Sequence, residues 1–179
     1  MKKNLLVTLF IIIILSVLFI FARSFLPVVR VEGESLLWRD FSKNRAGLMQ
    51  FRELSQENIS DLDIEKGVIL AFVENILIQK ELELRGKGEE DVQRVVRSAV
   101  SEEELGNLEN AVARLYGWSL DDFKKFILYP QSRRLLMMEE FQKENVNPDQ
   151  WLEKSLNAAR ISIYLPRWKW EEGEVKERY

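Results

Sequence analysis

The period of hydrophobic positions changes several times along the chain, and each change predicts an element. Leu5 to Ala22 is an apolar stretch of 18 residues with Thr8 and Ser16 as its only polar interruptions. Val28, Val29 and Val31 follow Pro27 as a short β-rich run that Gly33 ends, which predicts one strand and a turn. Helical spacing then takes over. Phe41, Leu48, Phe51 and Leu54 stand among polar residues such as Ser42, Lys43, Arg45 and Arg52 and mark a first helix. Ser60 with Asp63 forms a capping-box pattern that opens a helix running to about Arg85, where Gly86 supplies the stop. Within it Val68 to Val73 is apolar all round, and Ile76, Leu77, Ile78, Leu82 and Leu84 follow, the pattern of a central, buried helix.

Val92, Val95, Val96, Ala99 and Val100 lie at i, i+3, i+4, i+7 and i+8, the stripe of a helix with one buried face. Ser101 with Glu104 can cap the next helix, whose stripe is Leu105, Leu108, Val112, Leu115 and Tyr116 and which Gly117 ends. Ser119 and Asp122 cap a short helix carrying Leu120, Phe123, Phe126 and Ile127, and Pro130 is expected to interrupt it before a further helix with Leu135, Leu136, Met138 and Phe141. Asn147, Pro148 and Gln150 provide a cap, a first-turn proline and the reciprocal capping residue of the last helix. Ile161, Ile163 and Leu165 alternate with Ser162 and Tyr164 as a second strand. Two lone strands at opposite ends of a helical domain are expected to pair with each other, because an isolated strand leaves its backbone groups unsatisfied. The charged residues from Glu171 to Tyr179 read as a solvated, mobile tail.

At about 1.5 Å per residue the helix over Leu5–Ala22 approaches a hydrocarbon core of ~30 Å. The competing reading is a cleavable signal peptide, but the run exceeds the roughly 7–15 apolar residues such a peptide needs, and Ile20 with Ala22 makes a poor small-x-small site. The expectation is therefore a single-pass anchor. Lys2 and Lys3 favour a cytoplasmic N-terminus, with Arg23 and Arg30 weakening the bias, so the bulk of the chain is expected outside the cytoplasm. The resulting layout is a cytoplasmic tip over 1–4, an anchor over 5–22, a domain over 28–165 and a charged, aromatic tail over 166–179.

Composition narrows the chemistry. The 179 residues include no cysteine and no histidine, which removes disulfides, thiol catalysis, sulfur or imidazole metal ligands and any triad that needs imidazole. Residues 23–179 carry 24 basic against 29 acidic groups, a net of −5 that argues against nucleic acid as the main partner. Asp61, Asp63 and Glu65 have the 1, 3, 5 spacing of a calcium loop, but Lys66 stands where the loop needs glycine and Phe72 where it needs glutamate. The acidic runs Glu89, Glu90, Asp91 and Glu102, Glu103, Glu104 fall in first helical turns, where negative charge favours the helix dipole. No enzyme, cofactor or small-molecule substrate is expected.

The order of these features carries a resemblance. Val31, Gly33, Glu34, Trp38, Asp40 and Phe41 at the front precede Ile76, Leu77, Ile78 and the Glu83, Leu84, Arg85, Gly86 stop. Tyr116, Gly117, Trp118, Ser119, Asp122, Phe123 and Pro130 follow, and the strand Ile161 to Leu165 comes last. In this order the chain resembles the N-terminal, SurA-like chaperone domain of the SurA, PrsA and PpiD type of peptidylprolyl isomerases over roughly residues 28–165. The resemblance implies a mostly α fold, with a transmembrane helix followed by a helical domain closed by a short two-strand β ribbon. It also implies a module that holds unfolded or nascent secreted polypeptides without ATP. Such proteins often carry an inserted parvulin domain of about 90–100 residues; Phe141 to Arg160 leaves no room for one, so isomerase activity is not implied.

Trp118, Phe123, Phe126 and Tyr129 lie close together and either pack the core or, with Met137 and Met138, line a client groove, since aromatic and thioether groups adapt to varied apolar partners. Trp168 and Trp170, one lysine apart, share a face if the strand continues, and cover the domain's edge, touch the membrane interface or hold a partner. The alternative to a chaperone is a membrane-tethered adaptor that binds one folded partner.

Overall fold

The structure, a computed structural model, describes residues 24–100 and 102–178, and the side chains of 99 and 102–105 are not among those described. The anchor over Leu5–Ala22 and the Ser101 cap therefore lie outside the described residues, and of the Glu102–Glu104 run only the backbone is described. Among the described residues no helix is long and apolar enough to cross a membrane. The fold is mostly helical, with two small antiparallel sheets.

The chain opens with a hairpin, β1 (Pro27–Val31) and β2 (Glu34–Leu37). Its two-residue turn has Glu32 at φ 49° and Gly33 at φ 97°, the doubly positive geometry that matches the twist of paired strands. β2 is an addition to the predicted elements: four residues with no β-branched side chain leave too little pattern to read. The expected pairing of the two distant strands is present. β3 (Ile161–Ile163) joins the other edge of β1 with Val29 opposite Ile163 and Val31 opposite Ile161, giving the order β2-β1-β3 where a two-strand ribbon was expected.

Four helices follow the hairpin: α1 (Trp38–Ser55), α2 (Asp61–Leu84), α3 (Glu89–Ala99) and α4 (Glu102–Tyr116). α2 is the axis of the domain. Ser60 Oγ accepts the Asp63 N–H at 3.1 Å to start it. At its end the Lys87 N–H returns to Leu82 O at 2.9 Å and the Gly86 N–H to Glu83 O at 3.0 Å, a Schellman stop that Gly86 permits with φ 72°. Its N-terminal two-thirds, including Ile64, Val68, Ile69, Val73, Ile76 and Leu77, pack with the sheet and Phe41, and its last turns, Ile78 and Leu82, pack with Val92, Leu136, Met137 and Phe141. One all-round apolar helix thus serves two cores.

Pro130 does not interrupt the chain. α5 (Leu120–Phe123) runs into a wide π turn over Lys124–Leu128 and on into α6 (Tyr129–Glu144) as one continuous helical rod. The Tyr129 N–H reaches back five residues to Lys124 O. That wide turn restarts the helical phase, so Pro130 falls in a first turn, where its ring and missing N–H are tolerated. α7 (Pro148–Ala158) begins as predicted, with Asn147 Oδ1 accepting the N–H groups of Asp149 and Gln150 at 3.0 and 3.1 Å.

The tail is the main departure. β4 (Trp168–Glu171) and β5 (Glu174–Glu177) form a second hairpin about Glu172 (φ 55°) and Gly173 (φ 76°), pairing Trp170 with Val175. Trp168 and Val175 are 4% and 2% exposed, within the same core as the sheet, so the segment packs on the domain through these residues while Glu171, Glu172, Glu174 and Glu177 stay exposed. Alternation hides this in the sequence, because every apolar residue of the hairpin is followed by a charged one.

The β1–β2 turn is tied to β3 by charge. Glu32 accepts the Arg160 backbone N–H at 2.6 Å and the guanidinium at 3.0 Å, and the backbone bond first, then the side-chain bond, hold its pKa below the ordinary glutamate value. The carboxylate is therefore stabilising above the unfolded-chain pKa of about 4.3, and that stability is lost as pH falls through the lower folded value. Glu32→Gln is expected to lower thermal stability at pH 7 and to narrow its gap to the wild type through that acid window, as followed by circular dichroism.

Candidate functional site

An open groove of about 330 Å³ runs between α2, the start of α1 and the π turn. The buried residues Leu36 of β2 and Val68 of α2 lie at its base, and half-buried Phe72, Phe126, Tyr129 and Pro130 form its walls. Phe126 in the π turn and Tyr129 at the start of α6 stand across the groove from Phe72 of α2. Phe126, Tyr129, Pro130 and Arg133 are spaced i, i+3, i+4 and i+7, the interval of residues that share one helix face.

Polar groups stand around this apolar surface. Lys125 Nζ is 2.7 Å from Asp40 Oδ2, an ion pair that joins the π turn to the first turn of α1. Arg133 donates to Asn75 Oδ1 at 3.1 Å and to Glu89 Oε2 at 3.1 Å, which ties α6 to both α2 and α3. Ser35 and Asn44 complete the lining. The arrangement offers apolar contact for side chains and scattered hydrogen-bond partners for a backbone, and Lys125 is half exposed in its pair with Asp40.

The predicted contact residues divide. Phe126 and Tyr129 line the groove. Trp118 does not: it is 2% exposed, clamped between Tyr116 (ring centroids 4.6 Å apart, stacked) and Phe126 (5.2 Å, edge-on), with its indole N–H on Lys43 O at 3.0 Å. Phe123 stands behind it, 6.2 Å from Tyr116. Trp118 and Phe123 are thus the backing of the groove wall. Met137 is 4% exposed in the second core and offers no surface, because its place on α6 faces Ile78 and Leu82; Met138, one position on, is exposed. Trp168 donates to Glu65 Oε2 at 3.1 Å and is buried, and Trp170 is half-buried beside it, so these two cover one side of the core. Of the three readings for that pair, covering the domain's edge is the one their packing matches.

Asp40, Phe72, Asn75, Lys125 and Arg133 were not anticipated. Phe72 had a signal in the sequence, since α2 is apolar on more sides than its partners cover. The polar four had none, because they come from three separate elements that meet only in the fold.

The acidic motif at the start of α2 is paired with arginine: Arg52 lies 2.6 Å from Asp61 Oδ1 and Arg45 Nε lies 3.0 Å from Glu65 Oε1. These carboxylates point at α1, consistent with a helix N-terminal charge cluster. Asp91 and Glu89 of the next run are likewise engaged, with Arg94 and Arg133. Among the described residues no three acidic side chains converge as a metal site would require.

Comparison of the chain with protein-family models gives no match, and neither does comparison with curated proteins or with solved structures.

Proposed function

We propose that this chain is a membrane-anchored, extracytoplasmic holding module that binds unfolded or nascent secreted polypeptides through its groove, without ATP and without isomerase activity. The observation that carries the reading is the groove itself. Its apolar walls are contributed by four half-buried side chains on two rigid helical segments, and its margins hold paired but exchangeable polar groups. A site of this kind gains from any extended segment with apolar side chains and specifies little else, which is what a holder of varied clients needs. The SurA-like order of motifs and the long apolar N-terminal stretch support the same reading.

The test uses full-length protein in nanodiscs, titrated with a fluorescently labelled, permanently unfolded polypeptide and with a folded control of similar charge. Binding of several unrelated unfolded chains near micromolar affinity, absent for the control and weakened at least tenfold by Phe72→Glu, is the expected result. Binding to none of them overturns the proposal.

A second reading has its own observation. Leu54 and Leu115 are exposed and, with Ala111 and Arg114, line an open depression of about 530 Å³ between α1 and α4, an apolar surface that one folded partner of a tethered adaptor could cover. Crosslinking from Leu115 to a single folded species, with no unfolded-chain binding, favours that reading.

A further inference from the structure

The end of the three-stranded sheet at which the chain enters the domain collects the residue types found where proteins meet the membrane–water boundary. β1 begins at Pro27, opposite Leu37 of β2, so the Trp38 N–H bonds Leu26 O at 2.8 Å. On the other side β3 runs out at the same end, where the Tyr164 N–H bonds Val28 O at 2.8 Å. Phe25, Leu26 and Tyr164 are 62%, 58% and 51% exposed there. A cleft of about 230 Å³ continues from Trp38 to Leu165, Pro166 and Arg167. The side chain of Arg167, which lines this cleft, and that of Arg39, next to Trp38 in the chain, are more than half exposed, each with its Nε near one carboxylate, Glu177 at 3.5 Å and Asp40 at 3.6 Å.

Two segments distant in sequence, 25–26 and the end of β3 at 164, thus present exposed apolar or aromatic groups at one end of the domain, with half-buried Trp38 between them and arginines nearby. The chain connects that end to the apolar stretch directly. Phe25 is three residues after Ala22, and three residues span at most about 10 Å even when fully extended. If Leu5–Ala22 crosses a bilayer, this end of the sheet lies within that distance of its surface.

We propose that this end of the domain docks in the headgroup layer of the membrane, with Phe25, Leu26 and Tyr164 in the interface and Arg39 and Arg167 at the level of the lipid phosphates. The proposal rests on reading Leu5–Ala22 as an anchor. Aromatic side chains favour the interfacial region, and guanidinium groups pair with phosphate, so docking converts a solvent-exposed apolar surface into a stabilising contact. It also fixes the long helix relative to the bilayer. Glu65, near the start of α2, lines the same cleft as Trp38, and Leu84 at its far end is 19 residues, about 28 Å, along the helix.

The absence of cysteine makes the test direct, because single cysteines can be labelled without background. Full-length Tyr164→Cys and Leu26→Cys proteins, with Leu84→Cys as the control at a site 84% exposed, are labelled with a fluorophore. They are then reconstituted into vesicles of mixed neutral and anionic phospholipid that carry a headgroup-attached quencher. Quenching at least fivefold stronger at positions 164 and 26 than at 84 is expected. Protein that floats with the vesicles yet is quenched equally at all three positions overturns the docking while leaving the anchor intact. Protein that does not float overturns the anchor, and the docking with it.

Discussion

Gly47→Ala is expected to destabilise the domain by about 1–3 kcal/mol, the range associated with forcing an extra methyl group into a packed site. A β-carbon at position 47 would stand under 3.0 Å from three atoms of the Trp118 indole, closer than real β-carbons approach any atom. Gly47 lies in the interior of α1, where glycine costs roughly 1 kcal/mol relative to alanine on propensity alone. A solvent-facing glycine replaced by alanine would therefore gain stability, and the sign of the change separates the two cases. The indole packs against the α1 backbone at Gly47 and donates to Lys43 O, the carbonyl one turn before Gly47. Neither the indole nor the rigid helix can yield without breaking the stack of Phe51, Tyr116 and Trp118, whose rings lie 4.9 and 4.6 Å apart. The same stack backs Phe126 of the groove, so client binding should fall with stability. Denaturant unfolding of Gly47→Ala, Trp118→Ala and the double variant checks the mechanism. The double variant should cost far less than the sum of the two single changes, because the methyl group and the indole compete for one volume; additive losses would place the damage elsewhere.

This contact shows where sequence reading stops. The helices were legible because each carries its own instructions: Ser60 with Asp63, Ser119 with Asp122, Asn147 with Pro148, and Gly86 and Gly117 as stops all act within one turn of the residue they satisfy. The pairing of β1 with β3 was legible because two unpartnered strands have few other solutions in a helical domain. Gly47 and Trp118 are 71 positions apart, and nothing local to either announces the other. The two hairpins were hidden for a different reason. Both turn on a Glu-Gly pair, at 32–33 and at 172–173, where Asn-Gly or Asp-Gly is the stronger signal, and the flanking strands are only four or five residues long. The groove was half legible. Phe126 and Tyr129 stand close together along the chain and could be named, while the polar residues around them come from α1, α2 and the helical rod and meet only in the fold.

Trp168→Ala is the second large effect, and it decides whether the last hairpin belongs to the domain. A mobile tail would lose nothing when one of its tryptophans is truncated. Here Trp168 is buried against the core that α2 shares with the sheet, so its removal is expected to cost about 3–5 kcal/mol, a large part of the 5–15 kcal/mol that holds an ordinary domain folded. Keeping the chain at full length matters to the design, because deleting the hairpin would also release the conformational entropy spent in ordering it, about 1–2 kcal/mol for each backbone residue. Trp168→Phe separates packing from hydrogen bonding. Phenylalanine retains much of the ring but cannot donate to Glu65, so the expected loss is smaller, about 1.5–3 kcal/mol for a bond to a charged acceptor. Glu65 keeps Arg45 Nε at 3.0 Å in that variant and is not left as a lone buried charge. The order wild type, Trp168→Phe, Trp168→Ala in urea midpoint is the signature of a hairpin built into the core. Equal midpoints for all three would mean that α2 is covered by something other than this hairpin.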